Sequence, residues 1–168
     1  MPVRHFVDSR NALVVTFCWG RVTRDELAAS LAGLRSCPEF QADYQQLIEL
    51  SQSSQTTLDF NDLCGIHLAH DPFSNEGRRA FVAPRQTASF GFARMYQSIV
   101  DSPQIEVFDS LADALRWLRL DLSIDKDGEP ILLPREGLPR AYRRLWKRLG
   151  GGVPPSHQTG FERNVGRQ

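Results

Sequence analysis

Cys64, His67 and His70 stand three residues apart along the run CGIHLAH, the one stretch whose residue types and spacing suit a metal ion. A thiolate with two imidazoles is a zinc-type donor set. On a helix, however, residues three apart share a face, while residues six apart diverge by about 120°. All three reach one ion only if the helix ends before His70. Structural zinc takes four ligands, and the remaining donors, adjacent Asp71 and distant His5, do not complete the set. The expectation is no metal and no cofactor, with Cys64 partly buried and the histidines at the surface. Nucleophilic catalysis has no better footing. The chain carries no Gly-x-Ser-x-Gly elbow, no phosphate-cradling Gly-rich loop ending in Gly-Lys, and no dinucleotide-binding glycine fingerprint. It reads as a protein that is not an enzyme.

Binding is the better prospect, and two stretches offer it. The turn Pro84-Arg85-Gln86-Thr87 follows an apolar run and opens a helical one. In open parallel sheets, ligands gather outside the carboxyl ends of the strands, beside helix N-termini with free N–H groups. Arg85, Gln86 and Thr87 are therefore the candidate ligand- or partner-binding residues. Ser51, read as the end of the third strand, and Arg94, further along the same helix, are expected on the same rim. The second stretch is the helix candidate Gly137 to Leu149. Leu138, Tyr142, Leu145, Trp146 and Leu149 form an apolar stripe there, opposed by Arg140, Arg143, Arg144, Lys147 and Arg148.

The charge balance gives that helix its meaning. The 168 residues hold 20 Lys and Arg against 20 Asp and Glu. Residues 1–134 carry 12 basic against 18 acidic side chains, and residues 135–168 carry 8 against 2. Opposed charges favour docking of the basic helix on the acidic domain of its own chain or of a second copy. A separate protein partner and an anionic membrane surface are the alternatives. Aromatic residues are too few among the basic ones for a nucleic-acid partner. Three scattered cysteines, Cys18, Cys37 and Cys64, fit a reducing compartment. The opening MPVRHFVDSR lacks the apolar run of a signal peptide, so a cytoplasmic location is expected.

The elements that must position these residues follow from periodicity. Val3 to Asp8 and Ala12 to Trp19 read as a hairpin, the second strand apolar on both faces and hence central. Thr23 with Glu26 makes a capping box before a helix carrying Leu27, Leu31 and Leu34. Tyr44 to Leu50 is a third strand and Ser51 to Thr57 a polar loop. Asp59 caps a second helix carrying Phe60, Leu63, Ile66 and His67 and running to about His70. Residues 80–83 form a fourth strand, and Thr87 to Val100 a helix with Phe92, Met95, Tyr96 and Ile99 facing inward. Ile105 to Phe108 is a fifth strand, and Leu111 to Leu118 a helix capped by Asp109 or Ser110. The alternation predicts an α/β fold: a mostly parallel five-stranded sheet, an antiparallel N-terminal edge hairpin and four helices. This domain is expected over 1–120. A linker or short hairpin (121–136), the basic amphipathic helix (137–149) and a disordered tail (150–168) complete the chain.

Over about residues 3–119 the chain resembles the STAS/SpoIIAA-like superfamily, and within it a group of uncharacterised bacterial STAS-like proteins. The resemblance rests on Gly20-Arg21-Val22-Thr23, Leu47-Ile48-Glu49-Leu50 and Arg79-Ala80-Phe81-Val82-Ala83-Pro84. The segments Phe90-Gly91-Phe92-Ala93-Arg94-Met95-Tyr96 and Ala114-Leu115-Arg116-Trp117-Leu118 add to it. It implies a regulatory, protein-interaction or small-ligand-binding module. A peripheral membrane or lipid-associated protein is the alternative, because lipid-binding Sec14-type domains look similar in fold. The best-known members are anti-sigma-factor antagonists, switched by phosphorylation of a Ser in an Asp-Ser-Ser-Gly-like motif opening the second helix. This chain reads Thr57-Leu58-Asp59-Phe60-Asn61-Asp62 at that place, with no Ser, so the resemblance does not carry the switch over.

Overall fold

The computed structural model describes residues 2–9 and 11–120, apart from the side chains of residues 52 and 54–56. The linker or hairpin 121–136, the basic helix with Arg140, Arg143, Arg144, Trp146, Lys147 and Arg148, and the tail 150–168 lie outside the described residues. The elements run β1 (Val3–Asp8), β2 (Leu13–Val22), α1 (Arg24–Arg35), β3 (Gln45–Thr56), α2 (Phe60–His70), β4 (Arg79–Val82), α3 (Ala88–Val100), β5 (Ile105–Phe108) and α4 (Leu111–Trp117). One sheet holds all five strands in the order β1-β2-β3-β4-β5. β1 is antiparallel to β2, and every later pairing is parallel. This is the α/β architecture expected from the pattern of elements: a mostly parallel five-stranded sheet with an antiparallel N-terminal edge hairpin and four helices.

Local chemistry sets the helix starts. At α1 the Thr23 hydroxyl accepts from the Glu26 N–H, while the Glu26 carboxylate accepts from the Thr23 N–H at 3.0 Å. At α2, Asp59 and Asp62 make the same reciprocal pair at 2.8 and 3.3 Å. Thr87 and Ser110 cap α3 and α4. Each cap satisfies N–H groups that have no partner inside the helix.

Leu31 of α1, Leu63 and Ile66 of α2, and Ala93 and Tyr96 of α3 pack with Cys18, Ile48, Phe81 and Ile105 of the sheet into one buried cluster. Side chains alternate along a strand. Phe108 thus turns to the opposite face from Val107 and meets Trp117 of α4, ring centroids 5.7 Å apart. Three helices cover one face and α4 lies on the other.

One expectation fails here. Ser51 to Thr57 is not a loop, because β3 continues to Thr56. Its backbone pairs with Trp19 to Val22 of β2, itself longer than the apolar run that marks it, across two register shifts. A ladder needs only backbone groups opposite one another, so a polar stretch joins it when its partner strand extends as far. Phe60 does not face the core and is 55% exposed. The buried face of α2 centres on Leu63 and Ile66. Phe60, Cys64 and Leu68, spaced i, i+4, i+8, fall together on the outer side.

The loop that enters β4 leaves no room for a side chain at Gly77, which is buried. A Cβ there would stand 2.8 Å from the Asp43 carbonyl oxygen and closer still to that of Tyr44. Both obstacles are backbone and cannot swing aside. Gly77→Ala is expected to destabilise the domain by about 1–3 kcal/mol, measured as a lowered midpoint in urea unfolding with an unchanged slope.

Candidate functional site

A line of polar side chains crosses the amino-terminal end of the parallel strands, between sheet and helices. It starts at Arg79, the first residue of β4, whose side chain is 9% exposed. A guanidinium has donors only, so it dictates the orientation of its neighbours. Arg79 Nε donates to Gln46 Oε1 at 3.0 Å, which places the Gln46 amide nitrogen on the far side. That nitrogen donates to Thr16 Oγ1 at 2.8 Å. The Thr16 hydroxyl hydrogen then has His5 Nδ1 as its acceptor, 2.9 Å away. His5 is left with its proton on Nε2, 2.7 Å from the Ser30 hydroxyl of α1. Arg79→Gln46→Thr16→His5→Ser30 is a hydrogen-bond chain with a single direction, joining β4, β3, β2, β1 and α1.

The other end of Arg79 meets an acid. Its Nη1 donates to Asp71 Oδ2 at 2.6 Å and to the Tyr96 hydroxyl at 3.2 Å. Tyr96 also donates to Asp71 Oδ2, and the Phe73 N–H to Asp71 Oδ1 at 3.1 Å. The guanidinium sits over the rings of Phe73 and Tyr96, 4.8 and 5.3 Å from their centroids, a geometry that favours a cation. Burial works most strongly against charge on Asp71, yet the Arg79 cation and the hydrogen bonds from Tyr96, Arg79 and the Phe73 N–H together outweigh it and hold the carboxyl below its usual range. Burial likewise opposes the Arg79 cation, and the Tyr96 and Asp71 oxygens outweigh it. Burial raises the Tyr96 phenol. His5 is pushed down to about 4 by burial. The chain's polarity acts the same way, since a second ring proton would leave the Thr16 hydroxyl hydrogen without an acceptor.

These groups hold one another and offer little reactivity. His67 is not the surface histidine expected, for its Nδ1 lies 3.2 Å from Asp71 Oδ2 and its side chain is 27% exposed. Burial pushes the Cys18 thiol up to about 12. Among the described residues no three His, Cys, Asp or Glu side chains converge as a metal site, so Cys64, His67 and His70 do not form one. Above the polar chain lies a void of about 60 Å³ walled by Cys18, Leu31, Ile48, Leu63, Phe81 and Phe92. Metabolite pockets are commonly about 300–1,000 Å³, so this one is a packing gap.

The binding residues expected from the sequence separate into three places. Arg85, Gln86 and Thr87 do form the turn between β4 and α3, where Gln86 takes a left-handed φ of 64°. The Thr87 hydroxyl is occupied, donating to the Pro84 carbonyl at 2.7 Å and accepting from the Phe90 N–H. Arg85 reaches across to Asp109, 2.7 Å away, just beyond β5. Ser51 lies within β3, short of its end at Thr56, and its hydroxyl oxygen is enclosed. Its N–H donates to Glu49, itself 1% exposed. Arg94 lies near Gln97 and Glu106 on the outer edge of β5, not on the rim. The rim instead completes an open groove of about 470 Å³ lined by Arg85, Phe90, Phe108, Asp109, Arg116 and Trp117, with Val107 and Asp113 beside them. Arg85 and Arg116 are about three-quarters exposed, and each pairs with one acid, Asp109 and Asp113.

The polar chain escaped sequence reasoning, which began the fourth strand at residue 80 and gave Arg79 no role of its own. The signal present was Thr16 and Gln46 inside strands otherwise rich in apolar residues.

No family model matches the chain, and no curated protein matches it. Among solved structures it is similar to an uncharacterised protein of the DUF3478 family with a SpoIIAA-like fold from Shewanella loihica PV-4. That likeness has 17% identity and a TM-score of 0.48 over 69% of this chain and 91% of the other. It is also similar to the anti-sigma factor antagonist SpoIIAA in its unphosphorylated form, with 12% identity and a TM-score of 0.42 over 70% and 97%. Among the described residues no helix is long and apolar enough to cross a membrane.

Removing one partner of a buried ion pair strands the other. Asp71→Ala is expected to cost about 3–5 kcal/mol in urea unfolding, and Asp71→Ala with Arg79→Met to recover much of it. His5 supplies a pH dependence. Its folded value of about 4 lies below the unfolded 6.5, so the unfolded chain binds the extra proton first. The contribution is complete above pH 6.5 and is lost as the pH falls towards 4, up to about 3 kcal/mol. Urea midpoints measured across that range should fall more steeply for the native chain than for His5→Gln.

Proposed function

We propose that this chain is a non-enzymatic interaction module that holds a protein partner in the groove between the β4–α3 turn, the end of β5 and α4. The single observation behind this reading is the make-up of that groove: aromatic side chains at its centre and four exposed charges, two of each sign, around them. An apolar centre with a polar rim is how protein interfaces are built. The opposed charges suit a partner segment presenting an apolar side chain flanked by both an acidic and a basic residue. The polar chain at the far end of the sheet supports the same reading, because its buried donors and acceptors are taken up internally, which suits a scaffold better than a reaction centre.

Affinity purification with the full chain tests this. Arg85→Glu with Arg116→Glu changes two exposed side chains, leaves the thermal midpoint within a few degrees, and should remove the partner recovered by the native chain. An unchanged set of partners would overturn the groove as the contact surface.

A further inference from the structure

Along β2, Leu13, Val15 and Phe17 alternate with Thr16 and Cys18, which face α1 and the buried cluster. They therefore point to the opposite side of the sheet. The register sets Leu47 of β3 beside Val15 on one flank and Phe6 of β1 on the other. The rings of Phe6 and Phe17 meet edge to face, 5.7 Å apart. These side chains make one apolar surface across β1, β2 and β3.

Among the described residues no helix lies over it. α1, α2 and α3 pack on the other face, and α4 rests on β4 and β5. β2 stands two strands beyond β4, about 10 Å away. Leu13, Val15 and Phe17 are nevertheless buried, none more than 3% exposed. An apolar sheet face needs a second layer, and the cover over β2 comes from outside residues 2–120.

We infer that the helix predicted over Gly137 to Leu149 is that cover, docked on β2 of its own chain. Its stripe of Leu138, Tyr142, Leu145, Trp146 and Leu149 meets Leu13, Val15, Phe17 and Leu47, and its basic side stays in water. Within residues 121–168 this is the stretch with an apolar face at helical spacing. Its length of about 20 Å matches the roughly 16 Å of strand from Leu13 to Phe17. α4 delivers the chain to the same face, held by Arg78, whose Nη1 donates to the Trp117 carbonyl at 2.6 Å and whose guanidinium lies 5.3 Å from the Trp117 ring. Residues 118–136 then have only about 10 Å of sheet to cross. A segment tethered so close acts at about millimolar effective concentration, which favours it over a second copy. The acidic balance of residues 1–134 and the basic balance of 135–168 favour the same pairing. None of the docking side chains lines the groove proposed for a partner, so either surface can fail without the other.

Methyl NMR on the full chain tests this. Tyr142→Ala with Trp146→Ala removes two rings from the stripe and leaves residues 1–120 as they are. The methyl signals of Leu13, Val15 and Leu47 should move, while those of Leu63 and Ile66 on the other face stay in place. Unmoved signals at Leu13 and Val15 would overturn the docking. Native signals that change on dilution together with a halved mass in light scattering would overturn the own-chain occupant in favour of a second copy. Trypsin gives an independent readout on the native chain. Cleavage after Arg143, Arg144 and Lys147 should be at least tenfold slower than after Arg163, and the double variant should lose that difference. Equal rates at the two places in the native chain would overturn the proposal as well.

Discussion

A buried guanidinium fixes the geometry of this domain. Arg79 enters the interior at the first residue of β4, and everything near it must accept hydrogen bonds or present an aromatic face. The cost of removing a cation from water is several kcal/mol and is offset only by a complete set of partners. Asp71 supplies the opposite charge from the end of α2, Tyr96 a hydroxyl and a ring from α3, and Gln46 an acceptor from β3. Through Gln46 the demand passes on to β2, β1 and α1. One side chain thereby sets the seating of three helices on four strands. Apolar packing alone would leave those helices free to slide by small amounts, because hydrophobic contact is not directional.

The two ends of the sheet are divided accordingly. The amino-terminal end of the parallel strands is locked by charge and hydrogen bonds. The carboxyl-terminal end carries caps, turns and an open groove whose charges are exposed. A stable base with a variable rim is the usual plan of open parallel sheets. The exposed ion pairs at the rim contribute little stability, so their residues are free to serve recognition.

Sequence reasoning reached the parts of this arrangement that local chemistry determines. The Thr23–Glu26 pair, the Asp59 cap and the apolar runs of β1, β2, β4 and β5 each announce themselves within a few residues. The turn Arg85-Gln86-Thr87 was legible for the same reason, since an apolar run, a proline and a capping hydroxyl follow in order. What remained hidden depends on distant partners. Ser51 to Thr56 is a strand because β2 runs alongside it, and nothing in its serines says so. Arg94 looks like any helix-surface arginine until β5 is placed beside it. Arg79 and Asp71 are eight residues apart with a loop between them, and only the folded chain shows that they pair and are joined through Gln46 and Thr16 to His5 and Ser30.

The one-way order of the chain from Arg79 to Ser30 carries a consequence for sequence drift. Gln46 cannot become Glu without turning an amide donor into a second acceptor in front of Thr16. Thr16 would then swing its hydrogen towards β3 and abandon His5, whose ring would have to move its proton to the other nitrogen, leaving Ser30 to reverse in turn. A mismatch introduced at any link travels to the end of the line. Replacements along it are thus epistatic, tolerated as matched sets and penalised singly, even where each new side chain has the shape of the old.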